Sequence, residues 1–498
     1  MEFLVGIYSA SLPWMMGRLK PVYLGLTAFL GPDTRLALFG HFLTAGSVLL
    51  LPTLLMGASF PVVVRAGSRS STDRPDAANR LYASNLAGAA LGALMSEFLL
   101  IRFWGLGKSL ILVAITNAIV AALAVVLDRR QLLAATQPEK PEERGEAGTE
   151  KSGLVLLVAL AGGFLVLFQE IVWTHMVGRF LDNTVYGFAL MLFVVIAGLG
   201  LGAVIVARNL SKQPAKRLLP WAFLATGTLT MIVIPFWDDA RVLAVRYPIW
   251  TFVLAIALLG ATSLVLAPWR KVLTWVIASF AAVLACVYIY RTFHPVWTVF
   301  WFSHGIDFAV CLLFMALPAV LMGTLFPLAL EWYLLTARGP SPSVGRVYAA
   351  NTVGSLAGIV VATFLVLDRF GVERSGRAVG LALFALGLLL LWWITTRRRT
   401  VALAIIPAVA WAALEPPWDF SKTHAVLGHA GQPVYAREDL NGGLTTVLRN
   451  EDTTRLFTNG LIQAGTDYLV ADQVRIALLP VLHVREMDRA KASTTIRK

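Results

Sequence analysis

Long, uninterrupted apolar segments recur along the whole sequence and restrict the folds that the chain can adopt. A helix needs about 20 apolar residues to cross a bilayer, whereas the strands of a membrane barrel appear as alternating segments of about 10 residues. The segments here do not alternate, so we predict an all-α polytopic membrane protein with about 11 to 13 spans, the upper number counting the shorter stretches 2–16 and 400–414. The main predicted spans lie near 36–57, 84–104, 108–127, 153–174, 185–207, 218–236, 248–267, 272–290, 304–330, 347–367 and 377–396.

Composition excludes a water-soluble enzyme. Hydrophobic residues make up 57% of the chain and charged residues 14%, against about 45–50% and about 25% in ordinary soluble domains. Too few polar groups are present to cover a surface in water, so the lipid bilayer is the expected partner. The two cysteines, Cys286 and Cys311, both lie within apolar segments. We therefore predict neither a disulfide scaffold nor a metal site, and no cofactor.

The net charge of +13 predicts an orientation in the membrane rather than a nucleic-acid partner. Lys and Arg in short loops favour the cytoplasmic side and contact anionic lipid head groups. If the polar linker 128–152 is cytoplasmic, most basic loops share its side, although Arg369, Arg374 and Arg377 oppose the pattern. We predict a multi-pass protein of a bacterial-type inner (plasma) membrane. The supporting residues are Arg65, Arg69, Arg74, Arg80, Arg208, Lys212, Lys216, Arg217, Arg270, Lys271, Arg397, Arg398 and Arg399.

An internal repeat divides the membrane part into two homologous, unequal halves. Residues 52–61 (PTLLMGASFP) match residues 318–327 (PAVLMGTLFP) at six of ten positions. With the same offset of 266, the residues Arg80, Tyr82, Ala83, Asn85, Gly88 and Gly92 match Arg346, Tyr348, Ala349, Asn351, Gly354 and Gly358. We predict halves over 1–127 and 153–414, separated by the linker 128–152; the second has about five more spans upstream of the shared block. Duplicated halves are typical of transporters.

Two kinds of glycine motif lie within the apolar segments. The pairs Gly88/Gly92 and Gly354/Gly358 have the spacing that lets membrane helices approach closely. The sequence Gly198-x-Gly200-x-Gly202 imitates a nucleotide-binding loop, but such a loop follows a strand and opens a helix. Because this one lies in the middle of an apolar segment, we predict no nucleotide site there.

After residue 414 the composition becomes polar and indicates β-structure. The segments 445–449 and 454–458 flank the turn-forming residues 450–452 and predict a hairpin. Asn459-Gly460 predicts a second tight turn. Apolar residues at helical spacing then predict a short amphipathic helix over 467–482.

Ionisable side chains within apolar segments are costly in lipid and are candidates for a solute path. The same residues have an alternative explanation. The ionisable side chains would form an ion-paired network that holds a helix corner, and the two asparagines would form hydrogen bonds between helices. His304 and Asp307 stand one helical turn apart, and Asn85 and Asn351 occupy equivalent repeat positions. The candidates are Asn85, Glu97, Glu170, Trp173, His175, Arg179, Asp182, Tyr186, His304, Asp307 and Asn351.

Several of these motifs together resemble the fused major-facilitator-like/spermidine synthase proteins, which are related to polyamine aminopropyltransferases. The segment 168–173 (FQEIVW), followed by Thr184-Val-Tyr186 and 198–202 (GLGLG), is similar to the opening of that family's membrane repeat. Residues 55–61 and 345–354 look like the later helices of the repeat. Residues 416–419 and 455–463 look like its junction with the small N-terminal β region of a spermidine synthase. The resemblance covers nearly the whole chain and implies that 415–498 is a truncated form of that region.

The chain departs from the family at both ends. The first repeat lacks the Glu-Ile-x-Trp opening, as though the chain began inside its third helix. The family's catalytic core needs a glycine-rich loop for the nucleoside sulfonium donor and carboxylates for the polyamine, and the chain ends at Lys498 before any such segment. Gln463 matches a family position near the donor site, but the rest of that site has no counterpart in this chain. We therefore expect no aminopropyl transfer by this chain alone and name no catalytic residue.

The resemblance implies two alternative functions. One is a transporter-like module that handles polyamines or another small cationic solute by rocking of the two halves. The other is a membrane anchor or partner of a separately encoded aminopropyltransferase subunit. The tail over 415–498 lies outside if 400–414 crosses the bilayer and in the cytoplasm if 400–414 lies in the interface. The abrupt basic end over residues 491–498 leaves open the interpretation that the chain is a split or truncated gene product.

Overall fold

Most of the membrane part and a small C-terminal sheet are described by a computed structural model. The described residues are 2–31, 35–67, 74–134, 149–181, 184–210, 214–239, 247, 250–251, 253–255, 304–336, 342–394, 432–438, 444–449, 453–458 and 461–465. The predicted span 272–290, the stretch 400–414, the predicted helix 467–482 and most of the span 248–267 lie outside these residues.

Ten α-helices in the described residues account for the other predicted spans. They contain seven stretches that are long and apolar enough to cross a membrane, and they confirm the all-α polytopic fold. A further helical segment over 304–311 leads through a π turn, Leu312–Ala316, into α8. The helices are α1 (Glu2–Leu30), α2 (Arg35–Gly67), α3 (Arg74–Met95), α4 (Arg102–Ala134), α5 (Thr149–Phe180), α6 (Val185–Ile205), α7 (Ala215–Val233), α8 (Leu317–Thr336), α9 (Pro342–Val361) and α10 (Leu367–Ile394).

Helix α1 is longer than the apolar stretch 2–16 indicates. It has 29 residues and continues through Pro13 and Pro21 to Leu30. Arg18 and Lys20 end the apolar pattern but not the helix, because both residue types are good helix formers. The guanidinium carbon of Arg18 lies 5.2 Å from the ring centroid of Trp14. The polarity of this segment therefore changes before its secondary structure does.

The duplication extends to irregular details of the backbone. A π turn, Ser96–Ile101, separates α3 from α4, and another, Ala362–Val366, separates α9 from α10. Just beyond each π turn a glycine breaks the helix, Gly105 at φ 71° and ψ 168° and Gly371 at φ 76° and ψ 169°. These two glycines are 266 positions apart, the offset of the sequence repeat. Because only glycine readily adopts such angles, the matching breaks confirm two homologous halves.

The two glycine breaks also reconcile helix length with membrane thickness. The apolar stretches that contain Gly105 and Gly371 are 47 and 51 residues long. At 1.5 Å per residue a straight helix of that length would span about 70 Å, more than twice the hydrocarbon thickness of about 30 Å. Each stretch therefore divides at its glycine into two segments, and each segment is long enough for a crossing.

The large buried core lies in the second half. There α9 packs on α5, α10 packs on α7, and α8 packs on α6 and α7. The first half is much more open, since only 11% and 6% of its two apolar windows are buried, against 67% for 304–334. Within it α1 packs on α2 and α4, and it joins the second half chiefly through the contact of α3 with α6.

Equivalent phenylalanines of the two halves both contact aromatic rings across the junction. The Phe98 ring of the first half lies 5.1 Å from the Tyr186 ring of the second. Its equivalent in the second half, Phe364, lies 5.5 Å from the Phe42 ring of the first. Both halves therefore place the same repeat position at the junction.

Four antiparallel strands follow the membrane part in the order β1-β2-β3-β4. They are β1 (Gln432–Glu438), β2 (Leu444–Arg449), β3 (Thr454–Thr458) and β4 (Leu461–Gly465). The pairing of β2 with β3 confirms the predicted hairpin. The pairing of Thr458 with Leu461 places the predicted turn, Asn459-Gly460, between β3 and β4.

Candidate functional site

A group of polar side chains lies where the two halves meet, at the start of α6. Thr184 caps this helix: its hydroxyl oxygen accepts a hydrogen bond from the backbone N–H of Gly187, at 3.2 Å. An N-cap of this kind satisfies one of the free backbone donors in the first turn and sets where the helix begins. It therefore places Tyr186, the second residue of α6, at the junction.

His304 and Asp307 lie beside Tyr186 at the start of the helical segment 304–311. Both side chains are buried, and the Nδ1 atom of His304 is 3.6 Å from a carboxylate oxygen of Asp307. The imidazole ring is 5.0 Å from the Tyr186 ring and 5.9 Å from the Phe98 ring, which it meets edge-on. The structure thus brings Tyr186 together with His304 and Asp307, which the sequence placed one helical turn apart in a different segment.

The first half contributes Phe98 and Arg102 to the same place. The guanidinium carbon of Arg102 is 6.0 Å from the centroid of the Tyr186 ring, a distance at which a cation is attracted to an aromatic face. We call Phe98, Arg102, Tyr186, His304 and Asp307 the junction cluster. A buried carboxylate beside aromatic rings is chemically suited to an organic cation, and Arg102 already supplies a cationic group there.

The candidates on α5 form a second set, along its last three turns. Trp173 is 2% exposed and belongs to the large core, so it packs against apolar neighbours. Arg179 is buried, Glu170 and His175 are half-buried, and the Glu170 backbone oxygen accepts a hydrogen bond from the Thr174 hydroxyl. Asp182 lies outside the described residues.

The remaining candidates differ in exposure although two of them are repeat equivalents. Asn351 lies between α9 and α5, where a Cβ atom added to Gly163 would be 2.9 Å from its side-chain oxygen. Its equivalent Asn85 is exposed on α3. Glu97 is half-buried in the π turn next to Phe98. The two asparagines therefore do not occupy matching environments.

Gln169 is a buried polar residue that the sequence reasoning missed. Gln169 is fully buried, and neither its amide nitrogen nor its amide oxygen has a hydrogen-bond partner among the described residues. An unsatisfied buried polar group costs about 1–3 kcal/mol. Its position within the apolar segment 153–174, directly before Glu170, was the signal that could have identified it.

A small cavity lies between the helices, distinct from a larger and more open pocket of about 480 Å³ whose lining includes Phe236, Asp239, Tyr247 and Phe314. The volume of the small cavity is about 60 Å³, and its lining includes Tyr82, Phe223, Phe326, Asn351 and Ser355. A water molecule occupies about 30 Å³ in the liquid, so the cavity has room for about two. In this conformation it cannot hold a polyamine.

Neither a metal-binding arrangement nor similarity to a known protein assigns a function to these residues. The described part of the chain contains no group of three or more His, Cys, Asp or Glu side chains placed to hold a metal ion. The chain matches no protein-family model, no curated protein and no solved structure. The junction cluster is therefore interpreted from its own chemistry.

Glycine contacts explain the motif within α6. A Cβ atom added to Gly202 would lie 2.1 Å from the Val320 carbonyl oxygen, and one added to Gly198 would lie 2.6 Å from the Ala319 Cβ atom. Both glycines thus permit close contact of α6 with α8. These glycines of 198–202 therefore serve helix packing.

Proposed function

We propose that the chain is a transport module of a bacterial-type inner membrane and that its solute is a small organic cation of the polyamine class. The observation that carries this proposal is the junction cluster. It joins a buried carboxylate, Asp307, to the aromatic rings of Tyr186 and Phe98 across the two halves. Aromatic faces and a carboxylate together attract ammonium groups when water is excluded.

The duplicated architecture supplies a mechanism for movement. Transporters built from repeats move solute by rocking one repeat against the other around a site at their interface. Here, separating the halves would part Phe98 and Arg102 from Tyr186 and His304, and would open the cluster to solution. In the resting state the guanidinium of Arg102 lies over the Tyr186 ring, and an incoming ammonium group would replace it there.

The orientation and the solute class have separate support. The basic loops favour a cytoplasmic linker. The polyamine class follows from the resemblance to the fused spermidine synthase proteins, and a multivalent amine also suits a cluster with a buried carboxylate.

A flux assay with purified chain in proteoliposomes tests the proposal. We expect uptake of radiolabelled spermidine or putrescine, and we expect Asp307→Asn to reduce it about tenfold to a hundredfold, since a hydrogen bond to a charged group contributes about 1.5–3 kcal/mol. Glu373→Gln is the matched control. It removes an ion pair of 2.6 Å with Arg377 within α10, away from the junction cluster, and should leave flux unchanged.

Two results would contradict this function. One is the absence of flux for every amine tried with the folded wild-type chain. The other is equal flux in wild type and Asp307→Asn, which would show that the cluster is an ion-paired structural network.

The C-terminal sheet favours a second candidate function, a membrane anchor for a separate aminopropyltransferase subunit. The four strands form a small antiparallel sheet with Phe457 and Leu448 buried, and the resemblance assigns this region to the start of a spermidine synthase. On this hypothesis, spermidine synthase activity should copurify with the membrane chain and be lost when residues 415–498 are deleted. Activity that stays in the soluble fraction would argue against it.

A further inference from the structure

Two buried polar side chains in the core of the second half take no part in the junction cluster. Gln169 of α5 is fully buried, and Thr230 of α7 is 2% exposed. Neither the Gln169 amide nor the Thr230 hydroxyl has a hydrogen-bond partner among the described residues. Buried polar groups in native proteins are nearly all hydrogen-bonded, either to the protein or to ordered water.

The packing of α5 against α7 places these two side chains on facing sides of their helices. A Cβ atom added to Gly162 of α5 would lie 3.5 Å from the Phe223 ring of α7. Gln169 follows Gly162 by seven positions, and Thr230 follows Phe223 by seven. Seven residues make almost two full helical turns, so each polar side chain returns to the face on which its helix meets the other.

A second contact, further along both helices, shows that α5 and α7 run in the same direction. A Cβ atom added to Gly376 of α10 would lie 3.2 Å from the Val172 side chain of α5 and 2.8 Å from that of Ile234, just beyond α7. Val172 and Ile234 follow the first contact by 10 and 11 positions in their segments. The two polar side chains therefore lie between two helix contacts, in one layer of the core.

The Thr230 hydroxyl does not bond to its own helix, as other threonines of the membrane helices do. The hydroxyl groups of Thr174 and Thr226 donate to the main-chain oxygens of Glu170 and Ala222, at 2.9 and 2.7 Å. Bonding of this kind to the preceding turn is common for threonine within helices. Thr230 makes no such bond with the described residues of α7, so its hydroxyl can still both donate and accept.

The surroundings of the pair restrict a ligand to a small neutral molecule. A Cβ atom added to Gly380 of α10 would lie 2.8 Å from the Met231 side chain, and one added to Gly227 would lie 2.4 Å from the Phe384 backbone nitrogen. Helix α10 thus touches α7 on both sides of Thr230. Neither polar side chain of the pair carries a charge, so the pair favours a neutral ligand over an ion.

We propose that buried water bridges the Gln169 amide and the Thr230 hydroxyl and thereby joins α5 to α7. The amide nitrogen donates to water, the amide oxygen accepts from it, and the hydroxyl does both. Val166, three positions before Gln169, lines the cavity of about 60 Å³. Water in that cavity is therefore about one helical turn, roughly 5 Å, from the bridge. The proposal does not depend on transport.

Water-edited solid-state NMR of the full chain in lipid bilayers tests for this water directly. The glutamine side chains are labelled with ¹⁵N, and Gln169→Met assigns the Gln169 signal by its loss. We expect magnetisation to pass from water to the Gln169 amide. Thr230→Val should reduce this transfer at least threefold, because the water loses one of its two anchors. Thr226→Val is the matched control and should leave the transfer unchanged, since that hydroxyl bonds to Ala222.

A double-mutant cycle, measured by SDS titration of the purified chain, provides a second test. Gln169→Met or Thr230→Val alone should lower the folding equilibrium constant about tenfold, since each leaves a buried polar group with an incomplete set of hydrogen bonds. The double variant removes both groups and should come within about threefold of the wild type. Gln169→Met combined with Thr226→Val should instead show additive losses.

Two outcomes would overturn the proposal. The first is a Gln169 amide that receives no magnetisation from water in the folded wild-type chain, which would show a dry layer. The second is additive losses for Gln169→Met and Thr230→Val, which would show that the two side chains share no water. The first measurement needs only the wild type and the assignment variant, so it decides even if Thr230→Val does not fold.

Discussion

Replacing Gly354 by alanine is expected to destabilise the second half by about 3 kcal/mol or more, whereas Gly88→Ala should change stability by less than about 0.5 kcal/mol. The two glycines are repeat equivalents, yet an added methyl group meets the Leu160 backbone at 1.9 Å in one case and no described atom within 4 Å in the other. A backbone carbonyl cannot move aside as a flexible side chain can. Helix α5 must therefore shift away from α9 along its whole contact.

Unfolding of the purified chain in mixed micelles, titrated with SDS and followed by far-ultraviolet circular dichroism, measures both effects. Gly107→Ala is a control for the general effect of alanine, because Gly107 lies in α4 with no described atom within 4 Å of an added Cβ atom. Equal destabilisation by Gly354→Ala and Gly88→Ala would show that α3 is as tightly covered as α9.

Trp173→Ala is expected to reduce the free energy of unfolding by about 3 kcal/mol, while Trp221→Ala should have an effect of less than about 0.5 kcal/mol. Trp173 is 2% exposed within the core, and Trp221 of α7 is 59% exposed. The loss at Trp173 lies at the lower end of the range for soluble proteins, since lipid rather than water is the reference environment and only packing is lost.

The same SDS titration separates a packing role for Trp173 from a role in a solute path. If Trp173 only packs, Trp173→Phe should recover about half of the lost stability and restore any flux in parallel. A Trp173→Ala variant with wild-type stability and no flux would instead place this side chain in the path.

The membrane architecture was predictable because it depends on local chemistry. Every backbone N–H and C=O group in lipid must be satisfied within its own segment, so an apolar segment of sufficient length has to be a helix. The predicted spans that fall within the described residues, and the hairpin of 445–449 with 454–458, appear in the structure for such local reasons. The offset of 266 likewise predicted the duplication, because repeated sequence encodes repeated helices.

The contents of the candidate site were only partly predictable. Tyr186, His304 and Asp307 were identified as costly polar groups in or beside apolar segments. The spacing of His304 and Asp307 indicated that these two lie close together, but not that Tyr186 meets them. Phe98 and Gln169 were missed as site residues, because an aromatic residue and an amide in a membrane helix are unremarkable until their neighbours are known. Arg102 was not among the predicted site residues, and its guanidinium group lies over the Tyr186 ring.

The sequence alone determined the membrane environment, the helical segments and the presence of two related halves. Hydropathy and repetition are properties of the order of residues, so they can be recognised without knowing which helices pack together. The tertiary structure alone distinguished Gly354 from Gly88, Asn351 from Asn85 and Trp173 from Trp221. Identical or similar residues acquire different roles here because packing depends on which helix stands opposite, and that helix comes from a distant part of the chain.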